Sequence, residues 1–139
     1  MSARTRLLSF IGLAVLTQSL SAQPQGSGTS PQVAWSDVRQ LVQNLETAVQ
    51  SKNLHGIHEP SMKIRVPIKT LKQHGSTLGG DPSKNMVAAL KQLDSAVTDL
   101  HSAADAGDQQ EAESALKAVQ TAFDELKALD PETAFKNLR

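Results

Sequence analysis

The sequence predicts an all-α protein, an antiparallel up-down-up-down four-helix bundle. Three observations carry this expectation. Apolar residues recur at three- and four-residue spacing in four separate stretches. Beyond residue 22 the aromatics are Trp35, Phe123 and Phe135 alone, and tyrosine is absent, a poor endowment for a sheet. The connections between the stretches are short, which packs successive helices side by side in opposite directions.

Residues 1–22 have the layout of a secretory signal peptide. Arg4 and Arg6 precede an apolar segment from Leu7 to Leu20, and small residues follow at Ser21 and Ala22, near which cleavage is expected. Ser9, Gly12, Thr17 and Gln18 interrupt the segment, which is too short for a membrane span of about 20 apolar residues. The expected product is a periplasmic or secreted protein with no stable membrane anchor. Residues 23–34 begin with the run QPQGSGTS and read as a flexible linker, leaving 35–139 as the bundle domain.

The first helix is expected to start near Trp35, capped by Ser36 or Asp37. Its apolar stripe is Val38, Leu41, Val42, Leu45, Ala48 and Val49, and it runs to about Lys52. The second stripe is Leu54, Ile57, Ser61, Ile64, Ile68, Leu71 and Leu78. Pro60 and Pro67 fall inside it, and each removes a backbone donor, so the second helix is expected to be kinked or broken. The third helix has Asp81 as its expected N-cap, Pro82 at its first position, and a stripe of Met86, Leu90, Leu93, Val97, Leu100 and Ala104. Gly107 closes it in the C′ position. Asp108 and Glu111 form an Asp variant of the capping box for the fourth helix, whose stripe is Ala112, Ala115 or Leu116, Val119, Phe123 and Leu126. Asp130-Pro131 stops that helix and starts a short terminal turn around Phe135.

Composition excludes several function classes. The chain has 14 basic and 14 acidic residues; losing Arg4 and Arg6 leaves 12 basic against 14 acidic, a net charge of −2. Nucleic acid needs a basic face that this balance does not supply. Without cysteine there are no disulfides, no thiolate metal sites, no lipid anchor at a lipobox cysteine and no covalent haem. No nucleophile elbow or glycine-rich phosphate loop occurs, so nothing in the sequence supports an enzyme.

The histidines remain. If the second and third helices form a hairpin about Gly79-Gly80, His58 lies 20 residues before Leu78 and His101 lies 19 after Pro82. At about 1.5 Å per residue both stand roughly 29 Å from the turn. By the same count His55 is level with Asp105. His58 follows Ile57 and His101 follows Leu100, so both flank the core stripe in the same way. His55, His58, Glu59, His101 and Asp105 are thus expected near one end of the bundle. Imidazole and carboxylate donors suit Cu, Zn, Ni or Co, and facing helices of a bundle do build metal sites. The alternative is that these are ordinary boundary histidines. His74, beside Gly75, reads as a helix C-terminal residue meeting the dipole. The basic run Lys63, Arg65, Lys69 and Lys72 faces an acidic set on the later helices (Asp94, Asp99, Asp105, Asp108, Glu111, Glu113), read mainly as solvated faces with some interhelical pairing.

The stretch from Leu93 to Leu126, with its Ala104-x-x-Gly107-x-x-x-Glu111-Ala112 turn, resembles the last two helices of the soluble periplasmic b-type cytochromes. That family holds haem without covalent attachment between a methionine early in the first helix and a histidine near the end of the last. The corresponding segments here offer Val38 and Leu41, and Asp124 to Leu129 with no histidine. The resemblance therefore implies the fold, the compartment and a haem-free relative. Three functions follow in order: a non-enzymatic binding protein for a transition-metal ion through His55, His58, His101 and Asp105; an envelope protein-protein interaction or chaperone-like helper using the second helix; and a haem b electron carrier.

Overall fold

The computed structural model describes residues 29–136; residues 1–28, including the expected signal peptide, lie outside the described residues. Every regular element among the described residues is helical. They are α1 (Pro31–Gln50), α2 (His55–Lys63), α3 (Arg65–Gly75), α4 (Gly80–Asp105), α5 (Gln109–Ala128) and α6 (Pro131–Lys136). None of them is long and apolar enough to cross a membrane.

The first helix starts earlier than the sequence predicts. Ser30, not Ser36 or Asp37, is the cap, and its Oγ accepts from Val33 N–H at 3.2 Å. Pro31 sits at the first helical position, where its missing N–H costs nothing. Residues 31–34, expected in the linker, are therefore helical, and Ala34 and Trp35 are buried in the core. Trp35 stacks obliquely on Phe123 of α5 with ring centroids 5.5 Å apart.

The expected second helix is two helices, α2 and α3, divided at Ile64. Pro67 has no N–H to offer Lys63 O, which would be its partner four residues back. Ile64 itself keeps helical angles, donates to Pro60 O and accepts from Ile68, so the chain passes from one helix to the next with Ile64 fully buried. Close approach brings α3 against α4: a Cβ on Gly75 would lie 3.1 Å from Met86 Cγ.

Helix α4 is capped by Gly79 at φ 78°, a backbone conformation that glycine adopts without strain. Asp81, the expected cap, lies instead in the first turn and makes no capping bond. At the other end Gly107 takes φ 69° just past the helix, as expected. Asp108 then caps α5 by accepting from Glu111 N–H at 3.0 Å.

The helices contact one another around a shared core. Helix α1 packs on α2, α3, α5 and α6, and α4 packs on α2, α3 and α5. The stripes meet in one cluster that includes Val38, Leu45, Ile57, Ile68, Leu90, Leu93, Leu100, Leu126 and Phe135, all buried. Burying a side chain of this size stabilises by about 1.5–3 kcal/mol, whereas isolated helices of 9 and 11 residues such as α2 and α3 would be marginal in water. The core therefore fixes where α2 stands against α4.

Candidate metal centre

Helix α2 carries His58 and Ser61 and owes its start to a local device. After α1, Lys52 adopts a left-handed φ of 55°, and Asn53 turns its side chain back so that Oδ1 accepts from Gly56 N–H at 3.1 Å. Glycine leaves room for this turn at residue 56, since a Cβ there would lie 2.7 Å from Asn53 Nδ2 and push the side chain off its bond. Ile57 then drops into the core and leaves His58 beside it at the boundary. On α4, Leu100 and Ala103 are buried, which sets His101 at the edge facing α2, and Asp105 follows one turn later as the last residue of the helix.

The matched heights inferred from the sequence correspond to a real meeting of side chains. The rings of His58 and His101 stand 4.8 Å apart, centroid to centroid, tilted by 38°. His101 Nε2 lies 3.1 Å from Asp105 Oδ2, and His58 Nδ1 lies 3.8 Å from Asp105 Oδ1. One donor atom from each of the three residues falls within 4.8 Å of the other two. Tetrahedral zinc with bonds near 2.0–2.2 Å sets its ligand atoms about 3.3–3.6 Å apart, so the group needs to close by up to about 1.5 Å. His58 and Asp105 have the freedom to do so, with side chains 63% and 60% exposed, while His101, at 17%, is held.

Two further features of the surroundings favour a cation. Asp105 ends α4, where the helix dipole already leaves partial negative charge. Ser61, the lone buried polar side chain among the described residues, sits behind the site: its Oγ donates to His58 O at 2.8 Å and lies 2.7 Å from His101 Nδ1.

Two residues expected at the site are elsewhere. His55 is the exposed first residue of α2 and is not part of the group. Glu59 is engaged by Lys63 one turn on, and the ammonium's hydrogen bond and charge hold the Glu59 carboxyl below the usual carboxylate range. Ser61 was missed as a site residue, although it was legible as a hydroxyl placed where the stripe calls for an apolar side chain. Of the basic run, Lys72 reaches Asp94 of α4 at 3.5 Å, which is the interhelical pairing expected of it.

Compared with models of protein families, with curated proteins and with solved structures, the chain has no match.

Proposed function

We propose that the protein is an exported, non-enzymatic helical bundle that binds a transition-metal ion through His58, His101 and Asp105. The observation that carries the reading is the convergence of two imidazoles and a carboxylate from two helices, with one donor atom of each within 4.8 Å of the others. The donor set has nitrogen and oxygen but no thiolate, which suits Cu²⁺, Zn²⁺, Ni²⁺ or Co²⁺, with Cu²⁺ first in intrinsic affinity. Three protein ligands at a half-open surface leave a coordination position for water or for a ligand from a partner, as an exchangeable or carrier site requires. Export rests on Arg4, Arg6 and the apolar segment that follows them.

In this reading α2 and α3 together serve as the second helix of a four-helix bundle, bent where Pro60 and Pro67 withdraw donors. The cyclic packing of α1, the α2–α3 pair, α4 and α5 supports it. A binding role is favoured over catalysis by the burial of Ser61. Ser61, His101 and Asp105 have the connectivity of a nucleophilic relay, but a hydroxyl on a residue only 1% exposed cannot meet a substrate.

A second reading has its own observation. Met62 and Val66 are 48% and 69% exposed, and Val66 borders an open groove between α1 and α3 with Leu41 and Pro67. This is the contact face an envelope-partner role would use. The two readings separate in one experiment, elemental analysis of the protein purified from its native envelope fraction. Metal retained by the natural protein and lost from a His58→Ala/His101→Ala double variant supports the first. Equal metal in both, with stability raised only by a protein partner, supports the second.

A further inference from the structure

We propose that Ser61 is a positioning residue that holds His101 in the tautomer with hydrogen on Nδ1, so that the Nε2 lone pair is turned toward the cation position beside Asp105. The inference deepens the metal reading and rests on it for its purpose, but the tautomer is also a property of the metal-free protein.

Ser61 occupies a core position between Ile57 and Ile64, where its stripe is otherwise apolar, and it is 1% exposed. A hydroxyl has one hydrogen to give and two lone pairs to accept with. Its Oγ stands 2.8 Å from His58 O and 2.7 Å from His101 Nδ1. A carbonyl oxygen only accepts, so at 2.8 Å the hydroxyl hydrogen lies on His58 O. Ser61 then has only lone pairs left for the ring, and His101 must donate Nδ1–H to it.

The reverse assignment trades a buried hydrogen bond for an exposed one. Turning the hydroxyl toward Nδ1 leaves the oxygens of Ser61 and His58 2.8 Å apart with no hydrogen between them, at a residue 1% exposed. It gains a bond from Nε2–H to Asp105 Oδ2 at 3.1 Å, but that carboxylate is 60% exposed and water can serve it instead, and the same hydrogen would stand in the way of a metal ion. Metal-ligating histidines ordinarily give their second ring N–H to an acceptor that fixes tautomer and orientation. Here that acceptor is a buried hydroxyl from the facing helix. The same oxygen is bonded to the backbone of His58, so one atom ties the turn of α2 that carries one imidazole to the ring of the other.

The test is a long-range proton–nitrogen correlation spectrum of the imidazoles in metal-free, nitrogen-15-labelled protein at about pH 8.5, above the ordinary histidine range. It is followed by zinc titration of the same samples. The expected result is an Nδ1–H signature for His101 in the natural protein and a shift to Nε2–H in Ser61→Ala. Ser61→Thr, which keeps the hydroxyl, should retain Nδ1–H. Zinc affinity should fall by about 10–100-fold in Ser61→Ala and recover most of the loss in Ser61→Thr. An Nε2–H signature in the natural protein overturns the proposal without recourse to any variant, as does an unchanged tautomer in a folded Ser61→Ala protein. An Nδ1–H tautomer in a protein that takes up no zinc supports the hold of Ser61 on the ring and refutes the metal reading. Zinc uptake by an Nε2–H protein does the reverse.

Discussion

His101 and Asp105, one turn apart on α4, hold Nε2 and Oδ2 at 3.1 Å, and the carboxylate's other oxygen faces His58 of α2. Asp105 is thus the joint between the two imidazoles, and in the proposed metal reading its charge would draw a cation to them. Asp105→Asn keeps the shape and removes that charge. Zinc affinity should fall at least about tenfold, by analogy with losses around other histidine metal sites. Stability without metal should change by no more than about 1 kcal/mol, because the side chain is largely exposed. Calorimetric titration and urea melts check the two halves.

Metal should stabilise the fold by linkage. With free zinc at 100 times Kd the expected gain is about 2.7 kcal/mol, or roughly 10 °C in Tm for a domain of this size. Protons compete with metal for the ring nitrogens, so the gain should vanish at about pH 5 and with a chelator. Thermal melts with and without zinc at both pH values measure it; a shift that persists in His58→Ala/His101→Ala would locate the metal elsewhere.

The start of α2 should be sensitive at one glycine. In Gly56→Ala the new methyl meets Asn53 Nδ2 at 2.7 Å, so the bond from Gly56 N–H to Asn53 Oδ1 is strained or lost. The expected cost is about 1 kcal/mol, that of losing a helix cap, with a weakened zinc site because His58 lies two residues on. Denaturant melts beside zinc titration read both effects.

Phe135 anchors the short α6 and is fully buried, while Gln32 Nε2 donates to its carbonyl at 3.1 Å from α1. Phe135→Ala should cost about 3–5 kcal/mol. It lies on a helix that packs chiefly on α1, so zinc affinity at a temperature where the protein stays folded should not change.

At Glu59 the sign of a pH effect is fixed by its partner. Lys63 lowers the carboxyl's pKa in the folded protein, so the pair contributes above the unfolded carboxylate range and that contribution fades as pH falls through the folded value. Lys63→Ala should return Glu59 to the ordinary range, as read by a nuclear magnetic resonance titration of its side-chain carboxyl carbon.

Much of this protein was legible in its sequence because helical periodicity and turn chemistry are local. The stripe Met86, Leu90, Leu93, Val97 and Leu100 is buried as spaced, and Asp108 and Gly107 cap and end helices where their chemistry says they should. Counting residues from Gly79-Gly80 also brought His58 to the level of His101, since rise per residue is the same in both helices. What local rules missed depended on neighbours. Ser30 outcompeted Ser36 and Asp37 because Pro31, Ala34 and Trp35 gain by joining the helix. Asp81 lost the cap to Gly79, whose positive φ sets the direction of entry. His55 and Glu59 have the right height for the site, but height does not fix azimuth; His55 falls at the exposed first turn and Glu59 answers Lys63. Ser61 acquires its role only when His101, 40 residues away, is brought to its hydroxyl.

The central claim is that His58, His101 and Asp105 together hold one transition-metal ion. Calorimetric titration of zinc into the protein and into His58→Ala/His101→Ala tests it most directly. One equivalent bound by the natural protein and none by the folded double variant is the predicted result; equal binding by both, or by neither, contradicts it.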